Sequence, residues 1–182
     1  MALPATIYRV NIQLSDIDRA CYESLQISVA RHPSETAERL IMRVLAFAVC
    51  WEPELAFTKG IASGDEPDLW TRGGDGRVLS WIEVGLPDPD RLIKASRHVG
   101  RVVLFASGAA LPRWTAQHLA KIEGIANLTV VGFEQEFLNR LTEGLERTIA
   151  WDLTITGGSI YLNINGETME TALLPICGPG LP

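Results

Sequence analysis

Apolar and polar residues alternate near both ends of the chain, the pattern of strands with one buried face. Near the start, the alternation covers residues 5–14 and 22–30, and a turn-like link joins the two runs. Near the other end, alternating runs are separated by a Gly-Gly step at 157–158 and an Asn-Gly step at 165–166. Asn-Gly between alternating runs is a strong hairpin signal. The sequence therefore predicts antiparallel hairpins at both chain ends.

Between these hairpins, helical and strand patterns alternate along the chain. Apolar residues at helical spacing predict a buried helix over about 35–51, with Ser34 as its N-cap. An apolar, β-rich run predicts a strand over 78–84. The remaining predicted elements are helices over 87–98, 111–122 and 134–145, a short strand over 55–60, and strands over 101–105 and 128–131. This order predicts one α/β domain over 1–182, with a central mixed β-sheet flanked by helices.

Composition and net charge limit the classes of function that this chain can have. The chain has 182 residues, of which 47% are hydrophobic and 21% charged, with a net charge of −6. That charge argues against a uniformly basic surface for nucleic acid, although it leaves room for a local basic patch. The start of the chain lacks a signal-peptide pattern and no apolar run is long enough to span a membrane, so we expect a cytoplasmic protein. Three cysteines without metal-ligand spacing are expected to be free thiols.

The strongest candidate chemistry comes from Asp68, Glu83 and Lys94. Glu83 shares its predicted strand face with Leu79 and Trp81, where a carboxylate is costly to bury unless it meets a cation, a donor or water. A divalent ion would stabilise the ionised form, and Mg²⁺ or Mn²⁺ accepts carboxylate ligands. Lys94, on the next predicted helix, could position water or stabilise charge on a phosphate. We therefore predict Asp68, Glu83 and Lys94 as catalytic residues and the two acids as metal ligands.

Each acid also has a structural interpretation. Glu35 is predicted as a third metal ligand, but an acid near a helix start is also favoured by the helix dipole and can pair with Arg39. Asp68 after a proline could be a surface turn residue. Glu83 could be a charge that protects an edge strand.

Basic residues follow the predicted acids. Arg91, Lys94, Arg97 and Arg101 recur every three or four positions, which places at least the first three on one helix face. We predict Arg91, Arg97 and Arg101 as a phosphate-binding edge next to the acids. The alternative is an ordinary solvated helix face.

Six sequence strings carry a resemblance to a known family. They are MALPATIY at 1–8, ARHPSET at 30–36, FTKG at 57–60, DEPDLW at 65–70, WIEVGLPD at 81–88 and ANLTV at 126–130. With these strings in this order, the chain resembles the YaeQ family of small bacterial proteins over essentially its whole length.

The resemblance implies a variant of the PD-(D/E)xK nuclease-like, or restriction-endonuclease-like, fold. It implies that Asp68 is the first acid of the motif and Glu83 the second. The position of the motif lysine, two residues after Glu83, is Gly85. Lys94 fits a lysine that has moved to the following helix, and Glu35 fits the acid that several nuclease-like families carry on their first helix.

Three functions remain open at this point. The leading hypothesis is a Mg²⁺- or Mn²⁺-dependent nuclease-like protein acting on DNA or RNA phosphodiesters. The alternative is a catalytically inactive member that binds nucleic acid or a protein partner, for example in transcription, which Gly85 and the acidic net charge favour. A weaker option is a small-molecule role for the cleft.

Overall fold

The computed structural model describes residues 4–62 and 64–181, so the first three residues of the string at 1–8 lie outside the described residues, as do Ser63 and Pro182. The strands are β1 Thr6–Asp16, β2 Cys21–Arg31, β3 Leu55–Phe57, β4 Leu69–Arg72, β5 Val78–Val84, β6 Arg101–Ala106, β7 Leu128–Gly132, β8 Thr148–Thr156, β9 Ser159–Ile164, β10 Glu167–Ala172 and β11 Leu174–Cys177. The helices are α1 Ala37–Val49, α2 Pro89–Ser96, α3 Leu111–Ile122 and α4 Gln135–Glu143, with a short 3-10 turn at Gly60–Ala62.

The hairpins at the two chain ends form one mixed sheet. Its strand order is β10-β9-β8-β1-β2, and the antiparallel pairs β1–β2 and β8–β9–β10 confirm both predicted hairpins. The two hairpins meet where β1 pairs in parallel with β8. The start and the end of the chain are therefore neighbours in this first sheet.

A second mixed sheet has the order β11-β7-β6-β5-β4-β3. Its centre is the parallel set β5, β6 and β7, with α2 and α3 as the crossovers, and its outer strands are antiparallel. The predicted mixed sheet flanked by helices is therefore present, but the sequence did not predict that the terminal hairpins form a separate second sheet. Local patterns show which segments are strands, but the parallel pairing of β1 with β8 joins segments far apart in sequence, which no local pattern reveals.

Helix α1 lies between the two sheets. Ten of its residues are buried, so this helix has almost no solvent face. One core contains α1, α4 and the inner faces of both sheets, while α2 and α3 cover the other face of the second sheet. The layers are thus the first sheet, α1 with α4, the second sheet, and α2 with α3.

Two predicted boundaries were wrong. Helix α1 begins after Thr36, whose Oγ1 accepts a hydrogen bond from the Arg39 amide at 3.2 Å, while Ser34 bonds its hydroxyl to His32 Nδ1 at 2.7 Å. Glu35 therefore precedes the helix. The last strand, which the alternation predicts to run through Met169 to Leu174, splits, because β10 ends in the first sheet and β11 pairs with β7 in the second.

Among residues 4–62 and 64–181, no helix combines the length and the apolar character that crossing a membrane requires.

Candidate functional site

A cleft of about 460 Å³ opens where β5 ends. The carboxyl ends of parallel strands are where α/β sheets commonly bind ligands. Side chains that line this cleft include Arg39, Asp68, Glu83 and Arg91. A larger cavity of about 740 Å³, beside α4 and β8, contains none of the predicted site residues. The two predicted catalytic acids therefore line the cleft at the end of β5.

Asp68 lies directly before β4, and its backbone amide and both of its carboxylate oxygens are hydrogen-bonded. Its amide donates to the Ile82 carbonyl at 3.0 Å, so the backbone already follows the sheet. Its Oδ2 accepts the Val84 amide at 2.8 Å, and its Oδ1 accepts Arg39 Nη2 at 2.7 Å. The residue is only 1% exposed. Asp68 is therefore a buried acid at the cleft and not a surface turn residue.

Glu35 and Asp68 share two arginines from α1. Arg39 bridges them, with Nη1 at 3.0 Å from Glu35 Oε1 and Nη2 at 2.7 Å from Asp68 Oδ1. Arg43 Nη1 lies 3.1 Å from Glu35 Oε2, and Arg43 Nε lies 3.7 Å from Asp68 Oδ1. The four side chains form a closed ring of alternating charge. The pairing of Glu35 with Arg39 is thereby confirmed.

The two arginines of this ring differ in access to water. Arg43 is 3% exposed at its side chain, while Arg39 is 22% exposed and lines the cleft. The Arg43 Nε atom is buried and has no hydrogen-bond partner among the residues that the structure describes. Arg43 is therefore a fixed internal counter-charge, and Arg39 is the member of the ring that solvent and ligands can reach.

Glu83 reaches the cleft from the other face of the second sheet. Its neighbours in β5, Ile82 and Val84, pack towards α1, so strand alternation directs Glu83 towards α2. Glu83 Oε1 accepts Trp81 Nε1 at 2.8 Å and forms an ion pair with Arg91. Its strand lies between β4 and β6, so the edge-strand interpretation was wrong.

Strand pairing places the two acids at the same end of the second sheet. In the antiparallel β4–β5 pair, Leu69 lies opposite Ile82. The next positions towards the cleft are Asp68 and Glu83. Asp68, before β4, and Glu83, near the end of β5, therefore lie at the same end of this strand pair and line one cleft, with Asp68 paired to Arg39 and Glu83 paired to Arg91.

The pKa of Glu83 is raised above its usual value. Burial is the main cause, and the negative charge of Asp68 adds to it. The charge of Arg91 and the hydrogen bonds from Arg91 and Trp81 act in the opposite direction without cancelling the shift. Folding therefore favours the protonated form of Glu83.

We expect Glu83→Gln to become more stable relative to the wild type as pH rises. A raised pKa contributes stability that is complete below the unfolded-state pKa and is lost as pH rises through the folded-state pKa. Glutamine does not titrate, so the variant lacks this loss. Urea unfolding of both proteins across the acid-to-neutral range measures the difference in free energy. A difference that does not change with pH would contradict the assigned cause.

The structure does not bring Lys94 to the acids. Helix α2 begins beside the cleft and runs back along the sheet, and Lys94 lies exposed in its last turn. Arg91 is three residues closer to the cleft, about 4.5 Å along the helix axis. In the described part of the chain, Arg91 pairs with Glu83 and Lys94 pairs with neither acid. Arg91 therefore occupies the place that the sequence assigned to Lys94.

The other predicted phosphate contacts are separated. Arg97 follows α2 as an exposed C-cap residue. Arg101 starts β6, and its Nη2 donates to Glu52 Oε1 and to Ser80 Oγ, both at 3.0 Å. Ser80 is near the beginning of β5, away from the end that carries Glu83. Of the predicted basic stripe, Arg91 alone contacts an acid of the cleft within residues 4–62 and 64–181.

Comparison with known proteins identifies the family. A family model described as YaeQ protein matches residues 1–173. The chain belongs to the YaeQ family. Two relatives carry the name uncharacterized protein YaeQ: the Salmonella typhi protein is 38% identical and the Escherichia coli (strain K12) protein is 36% identical, each over 95% of this chain and 96% of the relative. The resemblance carried by the six strings is thereby confirmed.

Crystal structures of YaeQ proteins share the fold. The protein from Pseudomonas syringae superposes with a TM-score of 0.93 at 38% identity, over 98% of this chain and 99% of the other. The protein from Xanthomonas axonopodis pv. citri gives a TM-score of 0.91 at 32% identity, over 96% and 99%. The mixed α/β fold with two sheets and four helices in the described residues therefore matches YaeQ structures.

A divalent cation such as Mg²⁺ binds to carboxylate and other oxygen ligands. In residues 4–62 and 64–181, no group of three or more His, Cys, Asp or Glu side chains is arranged to hold a metal ion. Mg²⁺ is often held by only one or two carboxylates, with water and substrate oxygens completing its shell. Asp68 and Glu83 fit that arrangement, because they adjoin in one cleft and Asp68 raises the pKa of Glu83, a repulsion that a cation relieves.

Glu35 does not fit the same role. Both of its oxygens accept hydrogen bonds from Arg43, and one also accepts from Arg39. Its side chain is 1% exposed, and it is absent from the lining of the cleft. Sequence reasoning paired Arg39 with Glu35 but assigned neither Arg39 nor Arg43 to the functional site. Their signal was the spacing of four from Glu35, together with the position of Arg43 within the buried helix.

Proposed function

We propose that this YaeQ-family chain is a metal-dependent, nuclease-like hydrolase of DNA or RNA phosphodiesters. The observation that carries the proposal is the meeting of Asp68 and Glu83 in one cleft at the carboxyl end of a parallel strand. An acid before one strand and an acid near the end of its antiparallel neighbour also match the order of the PD-(D/E)xK motif, which supports assignment to a variant of that fold.

Asp68 and Glu83 would hold a Mg²⁺ or Mn²⁺ ion, which when bound supplies Lewis-acid stabilisation and an activated water. The chain's own contribution begins with rigidity. The Val84 amide fixes Asp68 and the Trp81 ring nitrogen fixes Glu83, so both carboxylates keep one orientation. Preorganised groups of this kind need no rearrangement during the reaction.

Arg91 is the proposed phosphate contact in place of Lys94. Its side chain is 28% exposed at the rim of the cleft, and it also donates to the carbonyls of Gly64 and Glu66, which hold its guanidinium near Glu83. A guanidinium binds phosphate oxygens in pairs and stabilises charge that develops on them. Arg39 presents a second guanidinium to the same cleft.

Gly85 leaves room for the substrate. Its φ of +105° is a conformation that favours glycine, and a Cβ added there would meet nothing within 4 Å. The position that holds lysine in the nuclease motif is thus an open part of the cleft wall, between the acids and the start of α2. We infer that a phosphate enters over Gly85 and draws Arg39 and Arg91 away from the carboxylates, which frees those carboxylates for the cation.

Cleavage assays test this proposal. Purified wild type, incubated with Mn²⁺ or Mg²⁺ and end-labelled single- and double-stranded DNA and RNA, is expected to cut at least one substrate class. Asp68→Asn keeps an oxygen that can accept the Val84 amide but removes the charge, so it is expected to lose cleavage while remaining folded. Equal cleavage by Asp68→Asn and wild type, or no cleavage of any substrate by wild type, would contradict the proposal.

A second candidate is a catalytically inactive protein that binds nucleic acid or a protein partner. The observation that favours it is the pairing of all three predicted acids with arginines, in a site where glycine replaces the motif lysine. This candidate predicts oligonucleotide binding that is unchanged by EDTA and accompanied by no cleavage. Filter binding with and without EDTA separates the two functions.

A further inference from the structure

Strand β2 is a long sheet edge without the usual protection. Exposed edges offer unpaired backbone groups to other strands, and proteins protect them with short strands, proline, bulges or charges. Three of the four sheet edges have such devices: β3 has three residues, β11 has four residues with Pro175 and a register shift, and β10 carries Glu167 and Glu170. β2 has eleven residues, and its only charged residues are Glu23 and Arg31.

The outer edge of β2 has no strand neighbour in the described part of the chain. It pairs with β1 over its full length on one side, and the sheet ends there. Its solvent face carries the small or uncharged side chains of Ser24, Gln26 and Ser28. Nothing in that row repels a second strand, so the edge has the features of a pairing surface.

We propose that this edge is where a second copy of the chain pairs, with the two β2 strands antiparallel and Ile27 opposite Ile27. Antiparallel pairing of identical strands has a two-fold axis, so each contact is made twice. In this register Leu25 of one copy faces Val29 of the other, and both residues are buried on the core side of the sheet. The two five-stranded sheets then continue into one another across the axis.

Charge complementarity selects this register and this partner. With Ile27 on the axis, Glu23 of one copy lies opposite Arg31 of the other, at both ends of the contact. Opposite charges directly across a strand pair stabilise it. A shift that centres Gln26 would instead place Glu23 opposite Val29 and Arg31 opposite Cys21, so neither charge would have an oppositely charged residue across the strand pair, and Arg31 would keep only its hydrogen bonds to the Glu35 carbonyl and the Tyr8 hydroxyl of its own chain.

One backbone group of the edge is already bonded. The Ala30 carbonyl accepts Arg43 Nη1 at 3.1 Å. A carbonyl oxygen has two lone pairs, so Ala30 can still accept from a second strand. Beyond Arg31 the chain leaves the sheet, so the proposed contact covers residues 23–31.

Light scattering on the full chain tests the proposal. Wild type is expected to have the mass of a dimer. In Gln26→Lys/Ser28→Lys, the register puts four lysines around the axis, because Gln26 faces Ser28 of the other copy, and a monomer is expected. Asn11→Lys/Ala150→Lys is the matched control, because those residues are exposed on the same sheet but in β1 and β8, so the dimer is expected to remain. Circular dichroism checks that all three proteins are folded.

Cross-linking tests the register. In a Cys21→Ser background, Ile27→Cys is expected to form a disulfide-linked dimer on mild oxidation, because it lies opposite itself within disulfide reach. Ser24→Cys lies opposite Ala30 and is expected not to cross-link. A wild type that is monomeric at every concentration, or an unchanged dimer in Gln26→Lys/Ser28→Lys, would overturn the proposal.

Discussion

Replacing Arg43 by Met is expected to lower the free energy of unfolding by about 3–5 kcal/mol. The Arg43 side chain is 3% exposed and faces both Glu35 and Asp68, which are each 1% exposed at their side chains. Removing it leaves two buried carboxylates with one fewer counter-charge. Methionine fills much of the same volume, so the loss reports charge and not a cavity. Urea denaturation of the wild type and the variant measures it.

Arg39→Met is the matched control on the same helix. Arg39 contacts the same two carboxylates, but its side chain is 22% exposed, so water can replace it. We expect a clearly smaller loss of stability than for Arg43→Met. Adding Glu35→Gln to Arg43→Met removes one of the stranded charges and is expected to recover part of the loss. Equal losses of stability for Arg39→Met and Arg43→Met would show that the burial of an arginine does not determine how much its ion pairs stabilise the fold.

The second large effect concerns the cation that contacts the substrate. On the proposed function, Arg91→Ala is expected to reduce phosphodiester cleavage by about 100- to 1,000-fold, the range for losing one donor to developing negative charge. Lys94→Ala is expected to change it little, because Lys94 is exposed in the last turn of α2. Rates under saturating and limiting substrate, measured with both variants, test the assignment.

Arg91→Lys gives the control for charge. Lysine keeps the positive charge but cannot bind two phosphate oxygens with one planar group, so partial recovery relative to Arg91→Ala is expected. A larger loss of cleavage activity for Lys94→Ala than for Arg91→Ala would contradict the assignment of Arg91 as the phosphate contact and would support Lys94 in that role.

Local sequence patterns were enough to predict most elements of the fold. The alternating runs marked the hairpins at both ends, and helical spacing marked α1, because each pattern depends on which face of one segment is buried. The division into two sheets was not predictable in this way. It depends on β1 pairing with β8 and on β11 leaving the first sheet for β7, and both are contacts between distant segments.

The candidate site was partly predictable for the same physical reason. A glutamate among apolar neighbours on a strand indicated an unusual environment for Glu83. Asp68 depended on the family resemblance, because an acid after a proline is also typical of a surface turn. Whether the Lys94 side chain comes near the two acids depends on the direction in which α2 leaves the sheet, which the sequence does not specify. The ring with Arg39 and Arg43 depends on α1 lying across the end of the second sheet, so its charge balance becomes visible only in three dimensions.

Whether Asp68 and Glu83 hold a metal ion is best measured by calorimetric titration of Mn²⁺ into the wild type and Asp68→Asn, with and without a cleavage-resistant phosphorothioate oligonucleotide. We expect one Mn²⁺ site in the wild type, with tighter binding when the oligonucleotide is present because phosphate draws Arg39 and Arg91 from the acids. We also expect at least about a 10-fold loss of affinity in Asp68→Asn. Absence of Mn²⁺ binding to the wild type even with the oligonucleotide, or equal binding by the variant, would contradict the claim that Asp68 and Glu83 hold a metal ion.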